Sequence, residues 1–118
     1  MVAENQHETV AFLSDPGTHG ITNKIEIIET HISCIFLAGD RAWKMKREVK
    51  LPYVDFSRPE LRLESCRREV ELNSLTAPSL YLAVRRITRG TDGALEFDGK
   101  GTLIDGVVEM RRFEQDCL

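Results

Sequence analysis

The chain has 118 residues, 42% of them hydrophobic and 30% charged, which is enough apolar content for one small core and argues against wholesale disorder. A formal net charge of -3 argues against a dedicated nucleic-acid binder, for which a strongly basic balance is expected. No stretch approaches the roughly 20 apolar residues of a membrane span. The start, MVAENQHETVAF, has neither the basic region nor the long apolar run of a secretory signal. The expectation is a cytoplasmic protein without a membrane partner. Cys34, Cys66 and Cys117 are odd in number and widely spaced, which predicts free thiols rather than a disulfide framework or a structural zinc.

In chain order, residues 5–14 (NQHETVAFLS) predict a short helix ended by Asp15-Pro16-Gly17, and residues 17–23 read as loop. Residues 24–30 (KIEIIET) and 33–38 (SCIFLA) are short and rich in β-branched and aromatic side chains, as strands are. Gly39-Asp40 signals a two-residue hairpin, with glycine where a type II′ turn needs it. Residues 41–47 (RAWKMKR) alternate, so that Trp43 and Met45 share one face and Ala42, Lys44 and Lys46 the other. Ser57-Arg58-Pro59-Glu60 fits a capping box. From there to Leu75 a stripe of Leu61, Leu63, Cys66, Val70, Leu72 and Leu75 predicts an amphipathic helix closed by Ala77-Pro78. Strands are expected over residues 80–89 and 94–98, with Asp92-Gly93 as the turn between them. A last run over residues 102–113 reads as a buried strand.

The expected fold is therefore α+β: a five-stranded antiparallel sheet with one main packed helix and a short N-terminal helix. The first 23 residues form the N-terminal helix and loop, and residues 24–118 form the main unit.

Two stretches sharpen this layout. Arg41-Ala42-Trp43-Lys44 resembles the kinase V-A-I-K strand, in which the alanine roofs the adenine and the lysine holds phosphate oxygens. Glu69 to Leu75 resembles the helix that supplies the lysine's carboxylate partner, with Glu69 in that role. A carboxylate on the partly apolar face of Cys66 and Leu72 needs a counter-charge, and an adjacent strand lysine would provide one. The stretches AFLSDP, IETHIS, FLAGDRAWKMKREVKLPYVDFS, CRREVELN, APSLYL and VEMRRFEQD span residues 11–116. Through them the chain resembles the amino-terminal lobe of bacterial aminoglycoside-phosphotransferase-like proteins, which have a protein-kinase-like fold. In many of these the kinase-like region is fused to a downstream P-loop ATPase domain.

The resemblance implies that ATP or GTP, with Mg2+, binds between this lobe and a second one. Its nucleotide-binding residues would be Lys44, Glu69 and Ala42. Thr30 and Ser33 would serve at the phosphate turn, where no G-x-G-x-x-G loop occurs. Met110, Arg111 and Arg112, followed by Phe113, fall where kinases join their lobes and hydrogen-bond adenine through the backbone; an ordinary strand end is the alternative there. No H-x-D catalytic loop and no later metal-binding aspartate is found. The expectation is an incomplete phosphotransferase domain, lacking its carboxyl-terminal lobe and inactive alone, with no catalytic residue or metal ligand of its own.

Exposed apolar surface at Leu63, Val70, Leu80 and Phe113, and self-association, would follow. Two other readings stand beside this one. The chain could be a non-catalytic module docking on a P-loop ATPase partner, or a small nucleic-acid-binding protein using the basic run at residues 41–50, which holds five basic side chains and one acid.

Overall fold

The computed structural model describes residues 6–77 and 79–112. Helix α1 (His7–Ser14) ends one residue before Asp15, whose carboxylate accepts from the Gly17 amide and starts a 3-10 turn over Pro16–His19. That turn replaces the first part of the loop expected over residues 17–23.

Three strands follow as antiparallel neighbours: β1 (Glu26–Glu29), β2 (Ser33–Ala38) and β3 (Arg41–Lys46). The β2–β3 turn is the expected one, with Gly39 at φ 59°, a value that costs glycine little. A small separate ladder, β4 (Lys50–Leu51) with β5 (Val54–Asp55), occupies a stretch the sequence reading leaves unassigned. After helix α2 (Pro59–Asn73) come β6 (Tyr81–Arg89), β7 (Leu95–Phe97) and β8 (Leu103–Arg111).

The main sheet runs β1-β2-β3-β8-β6-β7, with every pairing antiparallel. It has six strands, not the expected five: each run read as a strand joins this one sheet, including the short 94–98 run, whose β7 pairs with Ile87, Thr88 and Arg89 of β6. The fold is α+β as expected. Because β8 inserts between β3 and β6, β3 becomes an interior strand with its two faces covered by different elements.

One face holds the larger core. Cys34, Phe36, Trp43, Met45, Ile87 and Val107 pack there with Leu13 of α1. Phe97 stacks on Trp43 with centroids 4.8 Å apart and meets Phe12 edge-on at 5.0 Å. On the other face Ala42, Val108 and Met110 pack against Cys66, with Val70 alongside. Close approach there depends on Gly106 in β8, where a Cβ would sit 2.8 Å from the Cα of Leu63.

Two expectations for α2 need correction. Ser57 does not cap it. The helix starts at Pro59 with extended Arg58 as N-cap, and the Ser57 hydroxyl instead donates to Asp55 Oδ1 at 2.6 Å. Proline forces the residue before it into an extended conformation, which leaves Ser57 one position too early. The apolar stripe is also shorter than expected. Leu63 and Cys66 are buried, but Leu72 and Leu75 are 68% and 83% exposed. Leu72 stands two residues, about 200° round the helix, from the half-buried Val70. The expected exposed patch changes accordingly: Leu63 is buried, Val70 and Leu80 are half-buried, and Phe113 lies outside the described residues, as do Pro78 and Cys117.

A buried polar cluster fixes α2 to the sheet, and nothing in the sequence pattern announced it. Arg62 Nε donates to Asp105 Oδ1 at 2.8 Å, and its Nη1 donates to the Phe56 carbonyl. Gln6 donates to the other Asp105 oxygen and to the Lys46 carbonyl, and accepts from the Glu48 amide. All three side chains are at most 2% exposed. A buried charge pair survives only with its remaining hydrogen-bonding groups satisfied, and here Gln6 and the Gly106 amide complete the carboxylate's shell.

Candidate functional site

Alternation along β3 points Ala42, Lys44 and Lys46 to the side where α2 lies, and α2 answers with Glu69. Lys44 Nζ donates to Glu69 Oε2 at 3.1 Å, and Lys46 Nζ donates to Glu69 Oε1. One carboxylate thus serves two lysines, one oxygen to each. The expected pairing of Lys44 with Glu69 is present; the share taken by Lys46 was not foreseen, although its place on the same face was.

Burial decides how the three groups differ. The side chains of Lys44, Lys46 and Glu69 are 26%, 7% and 12% exposed. Burial by itself raises the Glu69 pKa. The hydrogen bond and charge of Lys46, followed by those of Lys44, outweigh it and hold the carboxyl below its ordinary value. The Lys46 ammonium also lies 6.0 Å from the Phe56 ring centroid, within cation–π reach. Tyr81 on β6 completes the cluster. Burial, then the charge and hydrogen bond of Glu69, push its hydroxyl pKa up. Sequence reasoning missed Tyr81, because only the pairing of β6 with β8 carries it to this face. Cys66, one turn before Glu69, is buried and its thiol is pushed up to about 12, chiefly by desolvation. It stays protonated and is no nucleophile.

The other candidate residues fall at the two ends of this face. Ala42 pairs with Met110 across the β3–β8 ladder, and both are buried. The Arg111 amide donates to the Leu80 carbonyl and the Arg112 amide to the Asp40 carbonyl, each at 2.9 Å. Those two amides are therefore already committed within the fold. At the opposite end Ser33 pairs with Lys46 across β2–β3. Thr30 Oγ1 accepts from the Ser33 amide at 3.0 Å and its own amide donates to the Ser33 carbonyl at 2.8 Å. The Ser33 hydroxyl is buried, with no hydrogen-bond partner among the described residues. The turn between β1 and β2 is tied to itself and to Arg47, which donates to the Thr30 carbonyl at 2.9 Å.

The basic run at residues 41–50 does not form one cationic surface. Arg41 pairs with Glu109 and Asp40, while Lys44 and Lys46 pair with Glu69. On the far face of the sheet a cleft of about 370 Å³ is lined by His19, Arg41, Trp43, Arg85, Phe97 and Glu109. Its charges neutralise one another: Glu109 bridges Arg41 and Arg85 at 3.2 Å each, and Asp40, also in the lining, pairs with Arg41 at 3.1 Å.

The Lys44 end of the lysine cluster presents a partly exposed ammonium oriented by a carboxylate. No group of three or more His, Cys, Asp or Glu side chains is placed to hold a metal among the described residues. Nor is any helix among them long and apolar enough to cross a membrane.

Comparison with known proteins places the chain beside longer ones. It is 37% identical over 97 residues to uncharacterized proteins of Mycobacterium bovis and of two Mycobacterium tuberculosis strains. The match takes in 80% of this chain and 18% of each relative, so the chain spans under a fifth of the length of the curated relatives it matches. No family model matches it, and no solved structure does.

Proposed function

We propose that this chain is the nucleotide-binding lobe of an aminoglycoside-phosphotransferase-like kinase. In this reading ATP or GTP, with Mg2+, lies between it and a second, kinase-like lobe. The observation that carries the reading is the Lys44–Glu69 pair at 3.1 Å, reaching from an interior strand to the packed helix, with Ala42 two residues earlier on the same face. An ammonium held this way presents a fixed positive charge to phosphate oxygens, which phosphoryl transfer requires of its binding half. Lys44 would hold the phosphates, Glu69 would orient Lys44, and Ala42 and Met110 would form the apolar end nearest the base. The described residues offer neither an H-x-D loop nor a metal cluster, so the lobe binds and orients while transfer falls to groups elsewhere.

The exposed Leu72 and Leu75 at the end of α2 favour a contact surface on this lobe beyond the nucleotide. They are the side chains through which isolated copies would self-associate.

The test is titration calorimetry of Mg-ATP into the full-length gene product and its Lys44→Ala variant. A charge-assisted hydrogen bond of about 1.5–3 kcal/mol predicts an affinity loss of roughly ten- to a hundredfold. Absence of ATP or GTP binding by the unaltered protein, or equal affinity in the variant, would overturn the reading.

A further inference from the structure

Glu69 has two lysine partners, and they are not equivalent. Lys46 is buried, with its ammonium on Glu69 Oε1 and near the Phe56 ring. Its backbone carbonyl is held by Gln6, which also bonds Asp105, the partner of Arg62 on α2. The end of β3 that carries Lys46 is thereby tied to the same helix that carries Glu69. Lys44 lies two residues nearer the apolar end, is 26% exposed, and has Glu69 as its ion-pair partner. A bound anion could draw Lys44 away without leaving Glu69 unpaired, because Lys46 would remain. Drawing Lys46 away would leave a buried ammonium without its carboxylate and would work against the Gln6 anchor.

We propose that Lys46 is the permanent charge partner and positioning residue of Glu69, and that Lys44 is the displaceable lysine that turns to bound phosphate. The inference rests on the nucleotide reading for the identity of the anion, but its electrostatic half stands without it. Groups facing Glu69 are Lys44 and Lys46 from β3 and Tyr81 from β6, with Cys66 on its own helix. Of these Lys46 contributes the most to holding the carboxyl ionised. In its absence a partly buried carboxylate would lean on the exposed lysine, which would compete with phosphate for that same ammonium.

Two measurements separate the proposal from the reading beneath it. The first uses no nucleotide. The Glu69 carboxyl is titrated by carbon-detected NMR in the unaltered chain and in Lys46→Met, Lys46→Arg and Lys44→Met variants. Lys46→Met should raise its pKa clearly, Lys46→Arg should restore most of the depression, and Lys44→Met should raise it less. Acetylation with a water-soluble acylating reagent, read by mass spectrometry, needs no variant. It should modify Lys44 several-fold faster than Lys46. A larger titration shift from Lys44→Met, or faster acetylation of Lys46, would overturn the assignment.

The second measurement repeats the acetylation on the full-length product with Mg-ATP. Protection of Lys44 with little change at Lys46 supports the proposal, and protection of Lys46 alone reverses the roles and defeats it. No protection of either lysine counts against the nucleotide reading, while the carboxyl titration still decides whether Lys46 is the permanent partner.

Discussion

Six residues of β3 are divided between two environments that obey different rules. On one face Trp43 and Met45 enter a continuous apolar core with Phe36, Ile87, Val107 and Leu13. On the other, Ala42 is apolar but Lys44 and Lys46 meet a carboxylate across a helix–sheet contact. The first face derives its stability from removing apolar surface from water, which is non-directional and tolerates no void. The second holds charges whose partners must be placed atom by atom; removing a partner costs little at the exposed member and much at the buried one, where a charge is left uncompensated. The difference teaches where function can sit. A side chain whose loss unfolds the protein is a poor element for recognition, whereas a lysine held by a neighbour that already has another partner is free to change its bond.

The largest effect should come from the apolar face. Met45 is fully buried, and Met45→Ala should cost about 2–5 kcal/mol, counting both lost transfer energy and the cavity left behind. Urea denaturation followed by circular dichroism measures it. A midpoint unchanged from the parent would mean that the core can collapse around the gap, and the two faces would then not differ as argued.

Much of this division was legible in the sequence, and the missing parts have physical causes. Period-two alternation assigns Trp43 and Met45 to one face and the lysines to the other without any structure. The Gly39-Asp40 turn sets the β2–β3 register. The Lys44–Glu69 pair needed the further premise that α2 lies on the lysines' side of the sheet, where it packs on β8 and β6 and leaves Glu69 within reach of β3. All six strand runs are legible one by one, the short β7 included; only their total in one sheet is put at five, because which runs join a single sheet depends on pairings between residues far apart in sequence. Tyr81 was not legible because its place depends on β8 inserting between β3 and β6, a pairing between residues far apart in sequence. Arg62, Asp105 and Gln6 were invisible for a similar reason: each looks like a surface polar residue until the chain brings them together in the dry interior. Ser57 misled because a capping box read from spacing alone ignores the extended conformation that Pro59 imposes on Arg58.

The next effect in size is on the charged face and depends on pH. Glu69→Gln removes the counter-charge of buried Lys46 and should cost about 1–3 kcal/mol near neutrality. The folded protein holds the Glu69 pKa below its ordinary value of 4.5. The ionised carboxylate therefore stabilises the fold fully above that ordinary value, and the contribution fades as pH falls through the depressed folded one. Melting curves of parent and variant should be well separated at pH 7 and converge in acid, below the folded pKa. A gap that stays constant down to acid pH would assign the loss to packing and remove the ion pair from the comparison.

The smallest effect on stability is expected at Lys44, and its smallness is the point. Lys44 shares Glu69 with Lys46 and keeps a quarter of its side chain in water. Removing it leaves no buried ammonium unpaired and leaves the carboxylate with its more deeply buried partner, Lys46. Ordering a long lysine chain also costs rotamer entropy, which offsets part of the attraction. Lys44→Ala should therefore lower stability by only about 0–1 kcal/mol, with the difference shrinking as salt is added. Thermal melts at low and high salt measure this. A loss matching that of Met45→Ala would make Lys44 part of the framework, unable to leave Glu69 for a phosphate, and the two faces of β3 would then do the same work. A near-silent substitution would instead leave Lys44 as the residue on the strand that the fold can do without.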